Sequence, residues 1–276
     1  MSPIDQDGPV PVSCAPDERA PQVDTAFVRW QQWRAERDRS LQEPYGWLSP
    51  VALHWLDDTP RRFPETPGTW SATAGAVTLS ATAADGLTRD GEPVVGESRI
   101  VDASRPWTVA DRRIELMRHN IGWAVRVRDP QSPTRLGFTG VPTYDFDPAW
   151  QLDGTFVPFD APRDTTVLAV VAGLAHPATA LGTVRCVVAS HPVELLAFAG
   201  GPNLVVLFTD ATSGVSTNAG SRALVIPAPV GSTDVVVDFN RATNPPAAFT
   251  AFATCPLAPP ENRLPFAVTA GERRPR

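Results

Sequence analysis

Apolar and polar residues alternate with period two along most of this chain, and turn chemistry interrupts the pattern at roughly 8–12-residue spacing. That pattern excludes a helical bundle and predicts a mainly β fold. Trp70-Ser-Ala-Thr and Ala76-Val-Thr-Leu-Ser-Ala read as a hairpin across Ala74-Gly75. Residues 87–95 place Asp90-Gly91 between two short strands, the strongest local hairpin signal in the chain. Residues 112–117 and 122–128 pair around His119-Asn120, and strands at 167–172, 183–189, 193–198, 204–208, 224–226 and 235–239 continue as an antiparallel meander. One helix stands against them. Asp24 or Thr25 caps it, Leu41 ends it, and Phe27, Trp30 and Trp33 form its apolar stripe. Residues 48–56 read as one more helical turn. The expected fold is an antiparallel barrel or sandwich-like meander with one N-terminal helix, in a single domain over residues 24–272. Residues 1–23, rich in Pro and Asp, read as a disordered arm, and residues 273–276 as a frayed tail.

Composition narrows the chemistry. All 24 basic residues are arginine and lysine is absent. This excludes Schiff-base chemistry and the P-loop phosphate lysine. A net charge of −6 argues against a sequence-independent nucleic-acid binder. The N-terminus lacks the basic and apolar regions of a signal peptide, and no apolar run is long enough to span a membrane. Cys14, Cys186 and Cys255 are odd in number and widely spaced, as expected of reduced thiols in a cytoplasmic protein. The four histidines (His54, His119, His176, His191) sit at no metal-ligand spacing, and no nucleotide or nucleophile-elbow motif is present. No metal and no cofactor are expected. Any catalysis would then be acid–base or electrostatic.

Polar residues gather in two strands. In residues 122–128, Trp123, Val125 and Val127 face one side while Arg126 and Arg128 face the other. The arginine face reads as a solvated surface, with an anion site as the alternative. In residues 235–241, Val235, Val237 and Phe239 share one face, and Asp238 and Asn240 the other, ahead of Asn244-Pro-Pro246. This second group reads as binding residues at a strand end, or as a structural network in which Asp238 and Arg241 tie down the Pro-rich crossing. Tyr144-Asp-Phe-Asp147 and Asp210-Ala-Thr-Ser-Gly214 read as turn chemistry.

The stretch from Asp238 to Phe249 resembles the C-terminal signature of the domain-of-unknown-function 1684 family. Ala253-Thr-Cys-Pro256, Pro259-Pro-Glu-Asn-Arg-Leu264 and Ala270-Gly-Glu272 extend that resemblance. Asp210–Gly214 with Thr217 and Arg222, Trp123 to Asp129, Phe138-Thr-Gly140, and Gly46 to Leu56 are similar to that family's other motifs. The resemblance implies a β-rich single-domain fold and no established reaction. Asn218 and Ala247 stand where the family usually has tyrosine and cysteine, which would enlarge a pocket and argues against cysteine chemistry. Cys255 then reads as a small buried hydrophobe. The lysine-free composition fits a GC-rich genome of actinobacterial type.

These readings lead to a cofactor-independent enzyme (a cyclase, isomerase, lyase or hydrolase) acting on a small organic molecule in a β-barrel pocket, in specialised biosynthesis. Asp238, Glu272 and His54 are the expected acid–base residues. Arg126, Asn240, Arg241, Asn244, Trp55 and Trp123 are expected to bind the substrate. The alternatives are a lipocalin-like small-molecule binding protein and a structural module. The expected partner is a small-molecule substrate or ligand, without nucleic acid or membrane, and a homodimer is the protein assembly to consider.

Overall fold

A computed structural model describes residues 25–188 and 190–275. The expected arm over 1–23 and the Asp24 cap lie outside the described residues. In chain order the elements are α1 (Thr25–Leu41), β1 (Pro50–Leu56), β2 (Arg61–Phe63), β3 (Thr66–Ala72), β4 (Val77–Ala81), β5 (Thr88–Arg89), β6 (Glu92–Pro93), β7 (Gly96–Ile100), β8 (Trp107–Val109), β9 (Arg112–His119) and β10 (Gly122–Arg128). After the short α2 (Pro133–Leu136) come β11 (Gln151–Leu168), β12 (Ala175–Val188), β13 (His191–Gly200), β14 (Asn203–Phe208), β15 (Arg222–Pro227) and β16 (Asp234–Asp238). The expected mainly β, antiparallel fold with one N-terminal helix is what the chain forms.

The N-terminal half is a sandwich. A six-stranded sheet, ordered β1-β10-β9-β8-β5-β6, faces a four-stranded sheet, ordered β2-β3-β4-β7. Between them lie Trp70, Leu79, Trp107, Ile114, Trp123, Val125 and Val127, all buried. Trp70 and Trp107 meet edge to face at 5.6 Å, the geometry that aromatic quadrupoles favour. The Asp90-Gly91 hairpin forms with φ of 53° and 84° at its two turn residues, as a two-residue turn of this type requires. Residues 48–56 depart from the helical expectation. Pro50–Leu56 pairs antiparallel with β10, because its apolar residues are buried by a neighbouring strand, which a local pattern does not reveal.

The C-terminal half is one curled sheet, ordered β15-β14-β13-β12-β11-β16. Its edge strands β15 and β16 approach each other, so it is nearly closed. Val184, Val188, Leu195, Val206, Phe208, Leu224, Val237 and Phe239 fill its interior. The barrel expected to hold a ligand at its centre therefore has a packed core there.

Loops after β16 strap this sheet to the helix. Asn262 acts as a strand surrogate: its side chain accepts from Leu196 N at 2.7 Å and donates to Leu196 O at 2.9 Å and Leu207 O at 2.8 Å. The α1 stripe packs as expected, with Phe27 and Trp30 against Phe146 at 5.7 and 5.5 Å. The Trp30 indole donates to Asn240 O at 3.0 Å. The start of the tail is not frayed: Arg273 N and Arg274 N donate to Pro142 O and Ser216 O. No helix among the described residues is long and apolar enough to cross a membrane.

Candidate functional site

The residues singled out in the C-terminal signature come together, and Asp238, Asn240, Asn244 and Glu272 each hold backbone, while Asn244 Oδ1 is buried without a partner among the described residues. Asp238 Oδ1 accepts from Asn240 N at 3.0 Å and from Asn240 Nδ2 at 3.1 Å, capping the turn Phe239–Arg241. Its Oδ2 faces Arg241 Nε at 3.4 Å. Asn240 also exchanges hydrogen bonds with the backbone of Asp147. Glu272, 2% exposed, accepts from Arg37 Nε at 2.9 Å and from Asn244 N at 2.6 Å. Asn244 Nδ2 in turn holds Arg273 O at 2.8 Å. Arg241 lies over the Trp33 ring at 5.7 Å. Both oxygens of Glu272 and of Asp238 are thus engaged by neighbouring groups, the geometry that the structural-network alternative expects. Asp238→Ala should remove a cap and cost about 1 kcal/mol, read as a small drop in the denaturant midpoint.

The arginine face of β10 is not a solvated surface. Arg126 and Arg128 are 8% and 6% exposed. Both donate to Glu115, at 2.8 and 2.6 Å, and both guanidinium groups stack on Trp47 at 4.8 and 4.6 Å. The two arginines share one carboxylate, so the cluster keeps a net positive charge. Strand pairing sets Trp55 opposite Ala124 and Leu53 opposite Arg126, which puts Trp55 on this same face. His54 and Trp123 point to the other face. His54 stacks on Phe63 at 4.2 Å and bonds Glu65 at 2.9 Å. Trp123 belongs to the sandwich core.

His119 pairs with Gly122 at the end of β9, which places its side chain on the face of Arg126 and Trp55, opposite that of Trp123. The His119 ring lies 5.7 Å from Trp55 and 5.6 Å, edge on, from His176 of β12. The His176 Nε2 bonds the Thr254 carbonyl oxygen. His119 and Trp123 also line a cleft of about 450 Å³ with Leu56, Arg118 and Ile121. His119 Nε2 and the Trp123 indole N–H are buried and have no hydrogen-bond partner among the described residues. Burial pushes the His119 pKa down from its ordinary 6.5, and the neighbouring His176 and Arg126 push the same way. The result is an uncharged imidazole near neutral pH, beside an aromatic wall and a fixed arginine cluster.

The thiols do not compete for that role. Burial raises Cys186 to about 11, and Cys255 is also raised by burial, so both stay protonated and unreactive at neutral pH. Among the described residues, no three His, Cys, Asp or Glu side chains gather as metal ligands would. Larger cavities of about 1070 and 670 Å³ lie elsewhere, the first over β11, β12, β13 and β16 and the second between α1 and residues 133–142.

Sequence reasoning reads His119 and His176 as lone histidines rather than site residues and passes over Glu115. Extending the hairpin register from His119-Asn120 would place Glu115 opposite Arg126 and His119 opposite Gly122. No local signal brings His176 across.

The neutral imidazole has a pH signature. As pH falls below about 6.5, the unfolded chain protonates its His119 before the folded chain does. The stability it contributes is complete above that value and is lost as pH drops through the lower folded-state pKa. His119→Gln should flatten this acid limb in urea denaturation followed from neutral pH downward. An unchanged limb would contradict a neutral His119.

Residues 136–273 match the family model described as Protein of unknown function (DUF1684). Arg118, His119 and Trp123 precede that segment and His176 falls within it. No curated protein matches the chain. Among solved structures, the chain is similar to the solution NMR structure of the uncharacterized protein from gene locus rrnAC0354 of Haloarcula marismortui. The identity is 27% over 50% of this chain and 78% of that one, with a TM-score of 0.43.

Proposed function

Because the chain belongs to the DUF1684 family, whose description carries no reaction, we propose a function from its own geometry: a cofactor-independent enzyme that moves a proton on a small organic molecule, as an isomerase, cyclase, lyase or hydrolase. The observation that carries this reading is His119, whose imidazole packs against Trp55 and His176 with Nε2 unpartnered among the described residues and whose pKa burial lowers. A histidine with a lowered pKa is deprotonated near neutral pH and so is free to accept a proton as a general base. Arg126, within electrostatic reach of His119, would stabilise negative charge that develops as the proton leaves. Buried free thiols at Cys186 and Cys255 suit work in the cytoplasm.

The second reading, a binding protein without turnover, draws on the 670 Å³ cavity walled by Leu48, Phe138, Val141 and Phe249. The test incubates the protein with a small-molecule extract and follows composition by mass spectrometry. The enzyme reading expects one compound to be consumed by the wild type and spared by His119→Gln. A compound that raises the melting temperature and is recovered intact would favour the binding reading.

A further inference from the structure

We infer that the seam between the N-terminal sandwich and the curled sheet is an acid-sensitive joint: protonation of His119 loosens it and uncovers Cys255. The inference is independent of whether His119 turns over a substrate. Among the described residues no strand of one half pairs with a strand of the other. The halves therefore meet through side chains, and such a joint opens at lower cost than the hydrogen-bonded sheets on either side of it.

His119 reaches across this seam. From the sandwich, β1 contributes Trp55 at 5.7 Å and β10 contributes Arg126. The acid of that face, Glu115 on β9 itself, is engaged by Arg126 and Arg128. From the other half, β12 contributes His176, edge on at 5.6 Å and bonded to the Thr254 carbonyl oxygen. His119 Nε2 is buried among these groups without a partner among the described residues. A neutral imidazole tolerates that setting and an imidazolium does not. Protonation would leave a charged group without an acceptor at Nε2 and set a cation beside Arg126. Burial and these neighbours hold the His119 pKa below 6.5 in the closed joint, and opening would let water reach Nε2 and restore the ordinary value. Acid therefore favours the open form, which binds the proton more tightly. Between the two pKa values the open population should rise about tenfold per pH unit.

At the hairpin tip, Asn120 donates to Gly173 O at 3.0 Å and accepts from Ala175 N at 3.1 Å. This amide clamp does not titrate, so it tethers the halves while the His119 contact opens. Cys255 follows Thr254, is 8% exposed, and lies close enough to Arg126 for that cation to favour its thiolate against burial. Cys186 is 8% exposed as well, but within the core of the curled sheet.

The experiment labels the Cys14→Ser protein with 4,4′-dithiodipyridine from about pH 7.5 to about pH 4.5, a range centred near the ordinary histidine value. Each rate is divided by that of free cysteine at the same pH, and peptide mass spectrometry separates the two sites. The normalised Cys255 rate should rise about tenfold per pH unit below about 6.5, while Cys186 stays protected. His119→Gln should make the Cys255 profile flat. Should that variant fail to fold, His119→Phe, suited to the neighbouring Trp55, replaces it with the same expectation. Simultaneous uncovering of Cys186 and Cys255 would signal global unfolding in place of a joint. That result, a flat Cys255 profile in the wild type, or a profile that the substitution leaves unchanged would each overturn the inference.

Discussion

Replacing Arg222 with alanine should destabilise the protein by roughly 3–5 kcal/mol, the cost of leaving a buried charge without its partner. Arg222 and Asp210 both have side chains 0% exposed and meet at 2.8 Å. The guanidinium also donates to the carbonyls of Val268 and Ala270 and lies over the Phe208 ring at 5.1 Å. Burial pushes the Arg222 pKa down and the Asp210 carboxylate opposes that push, so the ion pair persists only as a pair. Asp210 is itself held by Thr212 N, Thr212 Oγ1 and Val268 N. These donors hold the carboxylate in place and out of solvent once the arginine has gone. At about 2–4 °C per kcal/mol for a chain of this size, the melting temperature should fall by roughly 10 °C. Arg222→Met with Asp210→Ala should cost much less than the sum of the single changes, because the double variant strands no charge. A single-variant shift below about 2 °C in calorimetry would show that the pair is not what ties the C-terminal strap to β15.

Turnover is where the second large effect is expected. His119→Gln should reduce it roughly 10²–10⁴-fold, the usual contribution of a positioned general base, with the melting temperature near neutral pH almost unchanged. Glutamine keeps the size and polarity of the side chain but cannot exchange a proton. His119 is half-buried at a strand end, so the loss of packing is small. The wild-type rate should rise with pH through a value below 6.5 and then level off, and that acid limb should vanish in the variant. A residue that merely supported the hairpin would instead lower the melting temperature and leave the shape of the pH profile intact.

These two effects depend on different parts of the molecule, and the sequence reveals them unequally. Asp210 and Arg222 stand out as residues of a recurring signature. However, a turn-forming Asp reads as a turn until Arg222, twelve residues later, is seen beneath it. The alternation Trp123, Val125, Val127 identifies the core face of β10 correctly. The opposite face reads as solvated and is not, because period two says which side chains share a face and nothing about what covers that face. Trp47 and Glu115 cover it, and they turn two arginines from surface groups into a buried cluster. Asp238, Asn240, Asn244 and Glu272 stand out by residue type near a strand end. Only their partners, in α1 and in the backbone of Asp147 and Arg273, reveal that they hold the fold together.

What the sequence determined by itself was local: the β period, the Asp90-Gly91 turn, the N-terminal helix, and an arginine-only charge set that leaves proton transfer to Asp, Glu or His. Those properties depend on neighbours within a few residues, where backbone sterics and burial periodicity act directly. The tertiary structure alone decided that the barrel is filled, that the strand at Pro50–Leu56 joins β10, and that His119 meets His176 and Trp55 beside a cleft. These outcomes rest on contacts between residues distant in the chain, whose pairing is selected by the packing of whole sheets, and no local pattern carries that information.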